Sequence, residues 1–165
     1  MDLNFGNYIY LTPYDEKPIT HEDLRKRAIQ WLTNTKHCGV VLSEICTSSC
    51  EVPDAIGWQR DTSILVECKI SRSDFRCDRN KDHVRLERGV GQFRYILCPK
   101  GLLTAEDVNG CDYGLLEWGG GNVRVVVEAS LRAARREDEI IMLVSALRRV
   151  HAREFLVIVP FGSQV

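Results

Sequence analysis

No apolar run in the 165-residue chain approaches the roughly 20 residues that a bilayer-spanning helix needs. The first ten residues, MDLNFGNYIY, have neither the basic start nor the apolar core of a secretory signal. A soluble, cytoplasmic protein with no membrane partner is therefore expected. Internal repeats, low-complexity tracts and linkers are missing too. At 44% hydrophobic, 165 residues suffice for one core but not for two ordinary ones, so residues 1–165 are read as a single domain. The seven cysteines contain no close C-x-x-C pair, are odd in number and fall short of the density of a secreted disulfide scaffold. Cys38, Cys68 and Cys98 stand among aliphatic residues, where a reduced thiol packs as a small hydrophobe. A zinc site would have to be assembled from Cys46 and Cys50 with Cys38, His37 or Cys77, and their spacing does not favour it. His21, His37, His83 and His151 have no nucleophile partner or metal-ligand spacing, and are read as surface or helix residues.

Net charge is nearly absent as well, at -1 for the whole chain. Its distribution is uneven. Between Lys69 and Lys100 nine Lys/Arg stand against four Asp/Glu, an excess of about +5, with about -6 over the remainder.

The order of elements reads α/β. Residues 1–19 carry no clear period and are read as an ordered arm. Thr20 is placed to cap a helix running to about Lys36, with Leu24, Ala28, Trp31 and Leu32 on its buried face. The run VVLSEICT after Gly39 predicts a strand that holds Glu44 among apolar residues. Val52–Trp58 and Ser63–Ile70 predict a hairpin closed by a short polar connection. Ser71 or Ser73 caps a charged helix through SDFRCDRNKDHVRLER, and FRYILCP gives the next strand. YGLLEW and NVRVVVE, joined at GGG, give a second hairpin. A long helix is predicted from Ser130 to about Ala152, with Leu131, Ala134, Ile140, Leu143, Leu147 and Val150 on or near one face. The apolar tail EFLVIVPF must dock on its own sheet or on a second copy of the chain.

The stretch VPDAIGWQRDTSILVECK carries the chemistry. If the first hairpin is centred between Arg60 and Asp61, Trp58 faces Ser63, Ile56 faces Leu65, Asp54 faces Glu67 and Val52 faces Lys69. Glu67 and Lys69, two apart on one strand, share a sheet face. The other face carries Ala55, Ile64, Val66 and Cys68, so helices are expected on both sides of the sheet. Two opposed carboxylates repel, and a shared divalent cation holds both ionised. All-oxygen ligation favours Mg²⁺ or Mn²⁺. A lysine beside them can hold or help deprotonate a water while the metal stabilises charge on a phosphate oxygen, a combination suited to phosphodiester hydrolysis.

Pro53-Asp54, followed on the next strand by Glu67-Cys68-Lys69, resembles the PD-(D/E)XK nuclease superfamily. The continuation ECKISRSDFRCDRNK is similar to the MmcB-type branch of small DNA-repair nucleases. The resemblance covers about residues 20–118. It implies a restriction-endonuclease-like core of order αβββαβ, a mixed central sheet flanked by helices, to which this chain adds a C-terminal hairpin, long helix and tail (129–165). It also implies that Asp54, Glu67 and the Cys68 carbonyl ligate the metal, that Glu44 is available as a further acid, and that Lys69 positions the attacking water. The implied activity is a DNA endonuclease of repair, restriction or phage biology that leaves 5′-phosphates. Arg72, Arg76, Arg79, Lys81, Arg85 and Arg88, directly after the site, are the expected phosphate contacts. The competing reading is a catalytically inactive nuclease-fold module that binds nucleic acid or protein. A homodimer through the C-terminal helix and tail is a further expectation.

Overall fold

Helix α1 (His21–Asn34) begins at the predicted cap: the Thr20 hydroxyl accepts the Asp23 N–H, and the Asp23 carboxylate accepts the Thr20 N–H. These two bonds satisfy donors that the first helical turn leaves open. The structure, a computed structural model, describes residues 18–48, 51–78 and 89–149 and the backbone of 156–158. The predicted arm over residues 1–17, the helix beyond Asp78 and the helix end beyond Arg149 lie outside the described residues.

Strands β1 (Val40–Leu42), β2 (Ala55–Gln59) and β3 (Thr62–Cys68) form an antiparallel meander. Trp58 pairs with Ser63 and Ile56 with Leu65, the register expected from the sequence. Gln59 pairs with Thr62, leaving Arg60 and Asp61 as the connection, and Arg60 takes the positive φ (55°) such a tight turn requires. Helix α2 (Arg72–Asp78) then leads toward β4 (Phe93–Pro99), which lies parallel to β3. A 3₁₀ turn (Ala105–Val108) precedes β5 (Tyr113–Trp118), parallel to β4, and β6 (Arg124–Val127) returns antiparallel beside β5. Helix α3 (Arg136–Arg148) follows. The apolar tail docks on its own sheet, as β7 (Leu156–Ile158) antiparallel to β1. The result is a seven-stranded mixed sheet in the order β6-β5-β4-β3-β2-β1-β7.

Alternation along the strands sends two apolar sets to opposite faces. Leu24, Ala28, Trp31 and Leu32 of α1 pack on Val41, Ala55, Ile64, Val66, Cys68, Tyr95 and Leu97. Met142 and Ala146 of α3 pack on Leu42, Ile56, Trp58 and Leu65 from the other side. Phe75 of α2 joins Ile96, Cys98 and Leu115 further along that second face. Gly57 lets the chain after α1 close on β2, since a Cβ there would lie 2.8 Å from Cys38 Sγ. No helix among the described residues is long and apolar enough to cross a membrane.

Two elements depart from expectation. The strand ends at Leu42, so Glu44 is not in it; Glu44 sits at positive φ (49°) in the following loop, exposed, with its N–H on the Pro53 carbonyl. The last described helix starts at Arg136 rather than Ser130. The N–H groups of Ser130, Arg132 and Arg135 donate instead to the carbonyls of Asp112, Gln92 and Gly89, so this segment spends its backbone hydrogen bonds on distant loops. The buried face of α3 also differs, being Asp138, Glu139, Met142 and Ala146, while Ile140 and Leu147 face outward. Glu139 explains the rotation. Its carboxylate accepts from Trp58 Nε1 (3.2 Å), Ser63 Oγ (2.7 Å) and the Gly91 N–H (2.9 Å), and the Arg136 guanidinium lies 3.1 Å away.

Candidate active site

Asp54 stands one residue before β2, just past the last paired position of the hairpin, Ala55 opposite Val66. Its Oδ2 accepts the Cys68 N–H at 2.7 Å, so the carboxylate replaces a ladder bond and ties the start of one strand to the end of the other. The pairing expected between Asp54 and Glu67 is thus realised as adjacency across the end of the hairpin. His21 Nε2 lies 3.3 Å from the same oxygen. The Asp54 carbonyl accepts from Ser43 Oγ at 2.8 Å, and Ser43 accepts from the Arg25 guanidinium, also at 2.8 Å. One turn of α1, His21 to Arg25, thereby holds both the side chain and the main chain of Asp54.

Glu67 shares its strand face with Leu65 and is half-buried. Among the described residues its carboxylate has no hydrogen-bond or ion-pair partner. Burial, then the negative charges of Asp54 and Glu51, push its pKa well above the ordinary value near 4.5; Lys69 and Arg94 pull the other way without prevailing. Lys69 is buried at 5% exposure, its N–H on the Leu97 carbonyl and its Nζ 3.7 Å from Asp74 Oδ1. Asp74 lies in the first turn of α2, where its N–H donates to Ser71 Oγ, so Ser71 is the residue that caps this helix.

Beside Glu67 lies a buried ion pair, outside the expected site residues. Arg94 of β4 is 1% exposed, and its guanidinium engages both oxygens of Glu51. The Val90 N–H donates to Glu51 as well, and the Arg94 guanidinium donates to the Val90 carbonyl. Gly89 leaves the room for this pair, because a Cβ there would lie 2.1 Å from Arg94 Nη1. The sequence signal was an arginine inside FRYILCP at the parity of the α3-covered face, and an acid three residues before Asp54.

The remaining predicted residues are distributed as follows. Glu44 points toward Arg25, its Oε2 3.6 Å from Nε, and is not grouped with Asp54 and Glu67. Arg72 is exposed, but its guanidinium is held by the Leu102 carbonyl (2.9 Å) and Asp107, which makes it a tether between α2 and the 3₁₀ turn. Arg76 is exposed on α2. Arg79, Lys81, Arg85 and Arg88 lie outside the described residues. Among the described residues no three His, Cys, Asp or Glu side chains group as a metal cage.

Two carboxylates and a backbone carbonyl nevertheless fit Mg²⁺, which keeps several of its waters and takes only one or two protein carboxylates. The half-buried Glu67 without a partner is the feature that fits a cation best. Asp54 has only Oδ2 engaged among the described residues, leaving Oδ1 open.

No family model matches the chain, and no curated protein sequence matches it. Among solved structures the chain is similar to a protein of unknown function from Silicibacter pomeroyi, at TM-score 0.59 and 18% identity over 84% of this chain and 92% of that one. At that identity the likeness concerns the fold.

Proposed function

We propose that the protein is a Mg²⁺-dependent nuclease with a restriction-endonuclease-like core, hydrolysing DNA phosphodiester bonds at Asp54, Glu67 and Lys69. The observation that carries this reading is the half-buried Glu67 carboxylate, without a partner among the described residues, beside Asp54 at the end of the β2–β3 hairpin. The element order α1-β1-β2-β3-α2-β4 agrees with the order that the resemblance implies.

Asp54, Glu67 and the Cys68 carbonyl would hold the metal. When bound, Mg²⁺ supplies positive charge against the phosphate oxygens and makes a bound water more acidic. The chain's own groups do the rest. Asp54 is presented by the Cys68 N–H and by α1, so its carboxylate needs no rearrangement to bind. Lys69, buried at the end of β3, directs a positive charge to the same edge, where it can orient the attacking water. Its ammonium also pairs with Asp74. Glu51 and Arg94 pair with one another close enough to Glu67 for both charges to act on it, in opposite directions.

The test is incubation of supercoiled, linear and single-stranded DNA with Mg²⁺, with Mn²⁺ or with EDTA. Metal-dependent cutting of any of them supports the proposal. A second reading, a non-catalytic DNA-binding module, draws on the Lys69–Asp74 pair, which gives the lysine a structural partner. Retained DNA binding with no cutting of any substrate would favour it.

A further inference from the structure

The outward face of α3 carries Glu137, Ile140, Val144 and Leu147 in the 3-4 spacing of a helix seam, with Arg148 four residues after Val144 beside it. Ile140, Val144 and Leu147 are 58%, 40% and 66% exposed, although the opposite face of the same helix is committed to the sheet through Glu139, Met142 and Ala146. An apolar stripe at d, a and d-type positions is costly to leave in water and suits a second helix. The ends of this stripe decide which one. Glu137 at its start and Arg148 at its end are both exposed, and neither has a partner among the described residues. The other charges nearby are already spent within the chain: Arg135 on Asp138, Arg136 on Glu139, Gln92 and the Asp61 carbonyl, and Arg149 on the Cys46 carbonyl.

We infer that this seam pairs with the same seam of a second copy, the two α3 helices running antiparallel about a two-fold axis. A two-fold contact requires a patch complementary to itself, and this one is. The midpoint between Glu137 and Arg148 falls within about one residue, roughly 1.5 Å of helix rise, of the midpoint between Ile140 and Leu147. An axis through the apolar trio therefore brings Glu137 of each copy to Arg148 of the other. A parallel pair would set Glu137 against Glu137 and Arg148 against Arg148, and antiparallel packing also opposes the two helix dipoles. This inference is independent of the nuclease proposal.

Sedimentation velocity or light scattering across a concentration series tests it on the full chain. The wild type is expected to shift from monomer to dimer, with Ile140→Glu and Leu147→Glu monomeric throughout. Glu137→Arg and Arg148→Glu each place like charges at both ends of the seam, and each is expected to weaken self-association about tenfold or more. Mixing these two variants restores opposite charges at both ends. The mixture should therefore dimerise more tightly than either variant does alone, a result that loss of folding cannot imitate. A wild type that stays monomeric at high concentration overturns the inference and leaves the stripe to another segment of the same chain. A dimer insensitive to Ile140→Glu and Leu147→Glu, or a mixture that stays monomeric, overturns it equally.

Discussion

Oδ2 of Asp54 accepts the Cys68 N–H at 2.7 Å and lies 3.3 Å from His21 Nε2, so one carboxylate oxygen joins the two strands of the hairpin and faces the first turn of α1. Structure and charge can be separated at this residue. Asp54→Asn keeps an oxygen for the Cys68 N–H while removing a negative charge beside Glu67. Asp54→Ala leaves that N–H without its acceptor, at a cost of about 1–3 kcal/mol. In urea denaturation with EDTA, the asparagine variant should be as stable as the wild type or more so, and the alanine variant less. Equal losses in the two would count against the carboxylate's role as a backbone acceptor.

Glu67 makes stability depend on pH. Its pKa in the folded chain is raised above the ordinary value near 4.5, chiefly by burial. Below 4.5 the carboxyl is protonated in both folded and unfolded chains. As pH rises through the folded pKa, the folded chain must carry a charge that the unfolded chain carries at no penalty, and stability is lost. Glu67→Gln has no such loss. Metal-free melts from pH 4 to pH 8 should show no advantage for the variant at the acid end and a growing one toward neutrality. A constant difference across the range would contradict the raised pKa.

Arg94 and Glu51 are buried against one another, at 1% and 4% exposure. Removing one partner strands the other charge in the interior, so Arg94→Met should cost about 3–5 kcal/mol. Pairing it with Glu51→Gln should recover much of the loss, because no net charge is then buried. Chemical denaturation of the single and double variants measures this coupling, and simple additivity would speak against it.

Glu139 fastens α3 to the hairpin and to Gly91. Glu139→Ala strips the acceptor from Trp58 Nε1, Ser63 Oγ and the Gly91 N–H at once, and should destabilise by about 3 kcal/mol or more. Glu139→Gln keeps acceptor capacity and should lose less. The indole of Trp58 makes unfolding readable by fluorescence, and equal stability of wild type and Glu139→Ala would refute the clamp.

The contacts that could be read in the sequence are local ones. Thr20 and Asp23 are three residues apart and announce their helix, and the Arg60–Asp61 turn fixes the register that brings Asp54 beside Glu67. Contacts across long stretches of chain were not readable. Ile140 and Leu147 fit the apolar period of an inward face, but Glu139 is drawn inward by donors 48 to 81 positions away and turns them out. The Glu51–Arg94 pair spans 43 positions, and nothing near either residue announces the other. Glu44 sits in a loop because the strand stops two residues earlier, although its apolar neighbours extend the strand pattern. His21 carried no motif of its own, and its place beside Asp54 follows from how α1 packs on the sheet.

Whether this site cuts DNA is tested most directly by the Mg²⁺-dependent nicking rate of supercoiled plasmid for wild type, Glu67→Ala and Lys69→Ala, each first shown to be folded. Wild type should nick the plasmid and stop on addition of EDTA, and each variant should be slower by about 10²–10³. Nicking at the wild-type rate by both variants would contradict the assignment of Glu67 and Lys69.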